Sequence, residues 1–318
     1  MAKAITYIIN DSEISAGTRG TSLGPGALRV VDDTLKNYLF SKYPIHYIKT
    51  LNYYLDSPTP YKFAKRIDGL VKLYKFIADS VCKERQEKEF LIIMAGDHGS
   101  AGGTLAGLKM ANPSNRIGVL WIDAHADMHS PYTTPSGNMH GMPLATALNK
   151  DNLECQRNEL SEDVIQMWNK LKNMGGIAPK VLPQDLGCIA FRDMEEEEIK
   201  LMERENIPNI TVDELRKIGI NKVIDRLEEK YKDCDEIYVS FDVDSMDPDI
   251  VSHGTGTPVE HGITPEEASV LLKHFAKHPK VKCIEFVEIN PCLDEKINRM
   301  AEVTYKLIKE VVETVEQK

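Results

Sequence analysis

Short, β-branched apolar runs recur along the chain, separated by longer stretches whose apolar positions return every three or four residues. The runs are AITYIIN (4–10), IHYIKTL (45–51), FLIIMAG (90–96), IGVLWIDA (117–124), LGCIAF (186–191), IPNIT (207–211), IYVSFDV (237–243) and VKCIEFVEI (281–289), about eight strands by pattern. Between them, YKFAKRIDGLVKLYKFIADSVCKE (61–84) has helical spacing. TPEEASVLLKHFAKH (264–278) opens with Thr264 as a cap, Pro265 at the first helical position and Glu267 closing a capping box. INRMAEVTYKLIKEVVETV (297–315) predicts a final helix docked on the body. Residues 149–185 form a polar excursion between two strands with one helix-like piece, either a surface insertion or a rim over a site.

Strands alternating with helices predict an α/β fold in layers, with a mostly parallel central sheet covered on both faces. Such sheets bind ligands beyond the carboxyl ends of their strands. The chemically loaded residues fall there. His98 follows FLIIMAGD, Asp123 follows IGVLWI, Asp242 and Asp244 end IYVSFDVD, and Glu288 ends CIEFVE.

Composition narrows the setting. The 318 residues carry scattered Pro and Gly and no linker, so a single domain over 1–318 is expected. A formal charge of −10 without a basic stripe excludes non-specific binding to nucleic acid or anionic membrane. The opening MAKAITYIIN lacks the features of a secretory leader, no run approaches a membrane span, and a cytoplasmic protein is expected. Six dispersed cysteines without a C-x-x-C pair read as reduced, with Cys188 and Cys283 in the core.

WIDAHADMH (121–129) places Asp123, His125, Asp127 and His129 at alternate positions, which in an extended segment share one face. Clustered carboxylates repel one another and call for a cation. With His98, Asp242 and Asp244, the set offers hard oxygen donors and imidazoles but no thiolate, a chemistry that suits two divalent ions such as Mn²⁺ better than tetrahedral zinc. Asp123 and Asp242, the first of each doublet, are the expected bridges. Two such ions share a water and lower its pKa. Taken singly, DAHAD and DSMDPD also fit solvated turns, and Asp247 and Asp249 are read as turn residues. His140, in the loop TTPSGNMHGMP (133–143), has the pKa range of a proton shuttle for a leaving amine. Glu288 offers an anion for a planar guanidinium.

The ordered motifs AGDHG (95–99), DAHAD (123–127), SGNMHG (136–141), SFDVDSMDP (240–248), GTGTPV (254–259) and EINP (288–291) resemble those of the ureohydrolase family over nearly the whole chain, and AGTRGTSLGPGALR (16–29) is similar to the early motif of its bacterial arginases. The resemblance implies a three-layer sandwich of the arginase/deacetylase kind and two Mn²⁺ ions per chain. His98, Asp123, Asp127 and Asp242 would hold one, and Asp123, His125, Asp242 and Asp244 the other. It further implies L-arginine hydrolysis to L-ornithine and urea by attack of a bridging hydroxide. Catalytic roles then fall to His140, Glu288 and Asp127. His129, Thr134, Ser136 and Asn138 would lie near the substrate α-carboxylate, Glu195 and Glu198 near its α-ammonium, and Thr257 at the substrate as well. A homotrimer or homohexamer is also implied.

His129 stands where many arginases have Asn, and Glu195 where an Asp is common. Both departures bear on substrate choice. Within the family, the alternatives are agmatine or guanidinobutyrate hydrolysis. A silent scaffold would be expected to have lost ligands, and none of these is missing. A two-metal phosphatase would need Arg and Lys beside the motifs, where none cluster. EEEE (195–198) also reads as the solvated first turn of a helix favoured by the macrodipole.

Overall fold

Each of the eight apolar runs contains a strand, and all eight join one sheet. The computed structural model describes residues 5–87, 90–295 and 298–318. Ala4, heading the first predicted strand, and Ile297, heading the last predicted helix, lie outside them. The chain runs β1 (Ile5–Asn10), α1 (Gly24–Leu35), β2 (Ile45–Tyr47), α2 (Ile67–Glu87), β3 (Phe90–Ala95), α3 (Ala101–Ala111), β4 (Ile117–Ile122), α4 (Pro143–Leu148) and α5 (Glu162–Lys172). It continues through β5 (Leu186–Ile189), α6 (Glu196–Glu205), β6 (Asn209–Ile210), α7 (Val212–Ile218), α8 (Ile220–Lys230), β7 (Glu236–Asp242), α9 (Pro265–Lys277), β8 (Val281–Val287) and α10 (Arg299–Glu316). Every ladder between neighbouring strands is parallel, in the order β2-β1-β3-β8-β7-β4-β5-β6.

Alternation along β3 shows how the layers form. Phe90, Ile92 and Met94 enter a core with side chains of α1, α7, α8, α9 and α10, while Leu91, Ile93 and Ala95 enter a second core with α2 to α6. A strand buried on both faces needs an almost unbroken apolar run, which is what the sequence has. Cys188 and Cys283 are buried, and all six cysteines are unpaired. No helix of the described residues is long and apolar enough to cross a membrane.

Two segments depart from their simplest reading. The helix predicted from residue 61 starts at Ile67, because the Thr59 hydroxyl takes the backbone N–H groups of Tyr61 and Arg66, and Arg66 adopts a left-handed φ of 58°. Residues 61–66 thus remain a loop. The polar excursion is anchored rather than peripheral: Val164, Trp168 and Leu171 of α5 are buried, and the Asn158 amide donates to the carbonyls of Pro131 and Thr134 at 3.0 and 2.7 Å.

Candidate metal centre and substrate cleft

The four contiguous central strands, β3, β8, β7 and β4, end at the candidate residues. The chain skips from β3 to β4 across two strands filled later, so the strand order reverses here and opens a crevice. Gly96, just past β3, lets the backbone pass Ser12: a Cβ there would lie 2.1 Å from the Ser12 carbonyl oxygen. His98 then turns inward. Its Nε2 meets the Ser240 hydroxyl at 2.7 Å, and its ring stacks on Trp121 at 4.1 Å and 7°.

The other ring nitrogen is the informative atom. His98 Nδ1 is buried and makes no hydrogen bond, yet three carboxylate oxygens approach it: Asp123 Oδ2 at 3.0 Å, Asp127 Oδ2 at 3.1 Å and Asp242 Oδ2 at 3.0 Å. Donors from three strand ends converge here, and among the described residues no Lys or Arg forms an ion pair with these carboxylates. On the other side, His125 Nδ1 lies 3.1 Å from Asp244 Oδ2 and 3.5 Å from Asp123 Oδ1. Asp123 therefore turns one oxygen to each group. The donor set fits a pair of divalent cations, being oxygen-rich, anionic and buried.

The supporting hydrogen bonds orient these carboxylates. Trp121 Nε1 donates to Asp123 Oδ2 at 2.9 Å and the His125 N–H to Asp123 Oδ1 at 2.7 Å. Asp242 Oδ1 accepts the Asp244 N–H at 2.9 Å, and Thr257 donates to Asp244 Oδ2 at 3.1 Å. Burial and the Asp123 charge push Asp127 up to about 6; burial and the Asp244 and Asp123 charges push Asp242 well above the carboxylate range. Burial alone would lower His98 and His125, but their carboxylate neighbours raise both. The cluster thus recruits protons as counter-ions.

Alternation does not carry through to His129. Asp127 takes a left-handed φ of 52°, a conformation strained for a non-glycine residue, and this turns the following chain away. His129 Nε2 instead meets Glu195 Oε2 at 3.1 Å and lies 3.6 Å from Glu198 Oε2, with Nδ1 3.0 Å from Thr133. The ring expected beside a carboxylate-binding rim is thus engaged by an acidic pair.

A cleft of about 250 Å³ covers the cluster and gathers every predicted substrate residue. Glu288 Oε1 accepts the His98 N–H at 2.9 Å and lies 3.2 Å from His140 Nδ1. Burial would lower the His140 pKa, but Glu288, Asp127 and Asp97 raise it. Thr134 and Ser136 form turns by accepting the N–H groups of Gly137 and Asn138. Glu195 caps α6, and Glu198 completes the capping box with Oε2 on the Glu195 N–H and Oε1 on the Met128 N–H. Burial pushes Glu198 up to about 8, while the His129 hydrogen bond brings Glu195 down to about 2. Within EEEE, Glu196 is solvated and pairs with Lys200, half-exposed Glu195 and buried Glu198 line the cleft, and Glu197 pairs with Arg157. Asp249 donates its N–H to the Asp247 side chain, the turn expected there.

Sequence reasoning missed Ser240, Trp121, Asp193 and Lys65. Ser240 and Trp121 lie two residues before Asp242 and Asp123, so strand periodicity could have placed them on the ligand face. Asp193 lines the cleft with a carboxylate 3.7 Å from His125. Lys65 comes from a distant loop, with no local signal.

The Arginase family pattern matches residues 8–313. Arginase from Bacillus subtilis (strain 168) is 29% identical over 312 residues, 98% of each chain. Arginase from Bacillus caldovelox is 30% identical over 314 residues, 96% of this chain and 97% of the other. The crystal structure of Entamoeba histolytica arginase in complex with L-ornithine superposes with a TM-score of 0.81 at 28% identity, covering 98% of both chains. With the family's pattern spanning almost the whole sequence, the chain belongs to the arginase family of ureohydrolase enzymes.

Proposed function

We propose that this protein hydrolyses L-arginine to L-ornithine and urea, using two Mn²⁺ ions. The first would be held by His98, Asp123, Asp127 and Asp242, the second by Asp123, His125, Asp242 and Asp244. The observation that carries the reading is Asp123, whose two oxygens face two separate imidazole–carboxylate groups. Ions bound there supply a water that ionises near neutral pH. Glu288 accepts hydrogen bonds from the guanidinium and aligns its carbon. Asp127, beside His98 and facing the cleft, holds the proton of the attacking water. The water oxygen bonds to the guanidinium carbon, the bond from that carbon to the alkyl-bearing nitrogen breaks, and His140 delivers the proton the departing amine needs.

The far end of the cleft favours a zwitterion. Ser136, Asn138 and Thr134 supply donors, while Glu195 supplies an anion with the Glu198 carboxyl beside it, and Thr257, bonded to Asp244, lines the same cleft. A second reading, 4-guanidinobutyrate hydrolysis, is favoured by one contact: His129 occupies Glu195, the anion an α-ammonium would seek. Steady-state assays of the manganese-loaded protein on L-arginine, 4-guanidinobutyrate and agmatine decide the matter. We expect kcat/KM for L-arginine to exceed that for agmatine by at least about tenfold, a difference of about 1.4 kcal/mol. Equal or better turnover of agmatine refutes the arginine assignment.

A further inference from the structure

The loop before α2 reaches the mouth of the cleft. Lys65 Nζ donates a 2.8 Å hydrogen bond to Asn138 Oδ1, and the Lys65 backbone N–H donates to the Gly137 carbonyl at 2.9 Å. The two segments are pressed together: Gly137 has φ of 76°, and a Cβ there would stand 2.0 Å from the Lys62 carbonyl oxygen. Only glycine tolerates that conformation and that approach. The contact is built into the backbone, so the lysine is held at the cleft rather than resting on it.

An ammonium has donors and no acceptor, so the Asn138 atom it meets is the amide oxygen. The amide NH₂ is thereby turned away, toward the exposed Gly17, where Asn138 Nδ2 is 2.6 Å from the position a Cβ would take. Asn138 thus presents donors. Lys65 has no carboxylate partner among the described residues, and its charge lies beside a cleft whose other wall carries Glu195 and Glu198. The opposed signs give the mouth a direction. A substrate carboxylate belongs on the Lys65 side.

We propose that Lys65 is a specificity-determining residue: it orients the Asn138 amide and supplies the positive charge that receives the carboxylate of a guanidino acid. The inference rests on the guanidino-hydrolase reading above and extends it to a residue outside the cleft's lining. The hydrogen bonds of Lys65 go to Asn138 and Gly137 and to no metal-donor or proton-transfer residue, so its effect falls on binding rather than on chemistry.

The test measures kcat and KM of the manganese-loaded native chain, Lys65→Met and Lys65→Arg on L-arginine, 4-guanidinobutyrate and agmatine. Lys65→Met should raise KM for the two carboxylate-bearing compounds by about tenfold, leave kcat within about twofold and leave the agmatine KM unchanged. Lys65→Arg should restore most of the loss. If Lys65→Met misfolds by circular dichroism, Lys65→Gln, which keeps a donor for Asn138 and removes only the charge, carries the same comparison. An equal rise for agmatine, or no rise for the carboxylates, overturns the proposal. The arginine reading fails separately, on the native protein's order of substrates; a native chain that turns over none of the three overturns both.

Discussion

At the scale of single residues, the metal site depends on neighbours that hold the donors in place. Trp121 does two things at once, stacking on His98 and donating its indole N–H to Asp123 Oδ2. Trp121→Phe keeps much of the stacking surface and deletes the donor. Partners of ligating groups typically change metal affinity by about 10–100-fold, so Trp121→Phe should weaken Mn²⁺ binding by that order, read by titration calorimetry. Affinity equal to the native value would make the indole a packing residue only. The clustering of the candidate donors was legible in the sequence because His98, Asp123, Asp242 and Asp244 fall at or just after apolar runs, and strand ends in a parallel sheet face one rim. Their partition was less so. Nothing in DAHADMH announces that Asp127 breaks the alternation at φ 52°, since a left-handed aspartate is chosen by the surrounding fold rather than by its own sequence.

At the scale of elements, local signals were reliable where a helix or strand satisfies its own end. The Thr264 hydroxyl accepts the Glu267 N–H at 3.2 Å and the Glu267 carboxylate accepts the Thr264 N–H at 2.8 Å, the reciprocal box the sequence announced for α9. Thr264→Ala should therefore lower unfolding stability by about 1 kcal/mol in urea denaturation, with Mn²⁺ affinity unchanged because the Thr264 hydroxyl serves the helix end and bonds none of the candidate donors. A change in metal affinity would show that α9 transmits strain to the rim. Loops were the opposite case. The 61–66 segment clasps Gly137, and Asn158 ties the polar excursion to the loop at Pro131 and Thr134. Both are contacts between segments distant in sequence, and neither periodicity nor turn propensity encodes which loops will meet.

At the scale of the whole molecule, the fold concentrates acid where the four central strands end, and this ties stability to metal and pH together. Without metal, Asp127 sits at about 6 and Asp242 and Asp244 are raised, the last mainly by burial, while His98 and His125 are raised by their carboxylate partners. A carboxylate raised on folding binds its proton in the native state at pH values where the unfolded chain has lost it, so its contribution falls as pH climbs from about 4 toward its native value. The raised imidazoles act in the same direction, stabilising at low pH and ceasing to as pH rises through their native values. Within the cluster of candidate donors Asp123, lowered by His125 and His98 against the pull of burial, contributes the other way, and that loss comes in acid. The metal-free protein should thus lose stability between pH 5.5 and 7.5. Cations that bind only the native state displace those protons and bind more strongly as pH rises. At a hundredfold excess over Kd they stabilise by about 2.7 kcal/mol. The rise in Tm on adding a fixed concentration of Mn²⁺ to chelator-treated protein should therefore be several degrees at pH 7.5 and clearly smaller at pH 5.5, measured by differential scanning calorimetry. An increment that is the same at both pH values would place the bound metal away from this carboxylate–imidazole cluster.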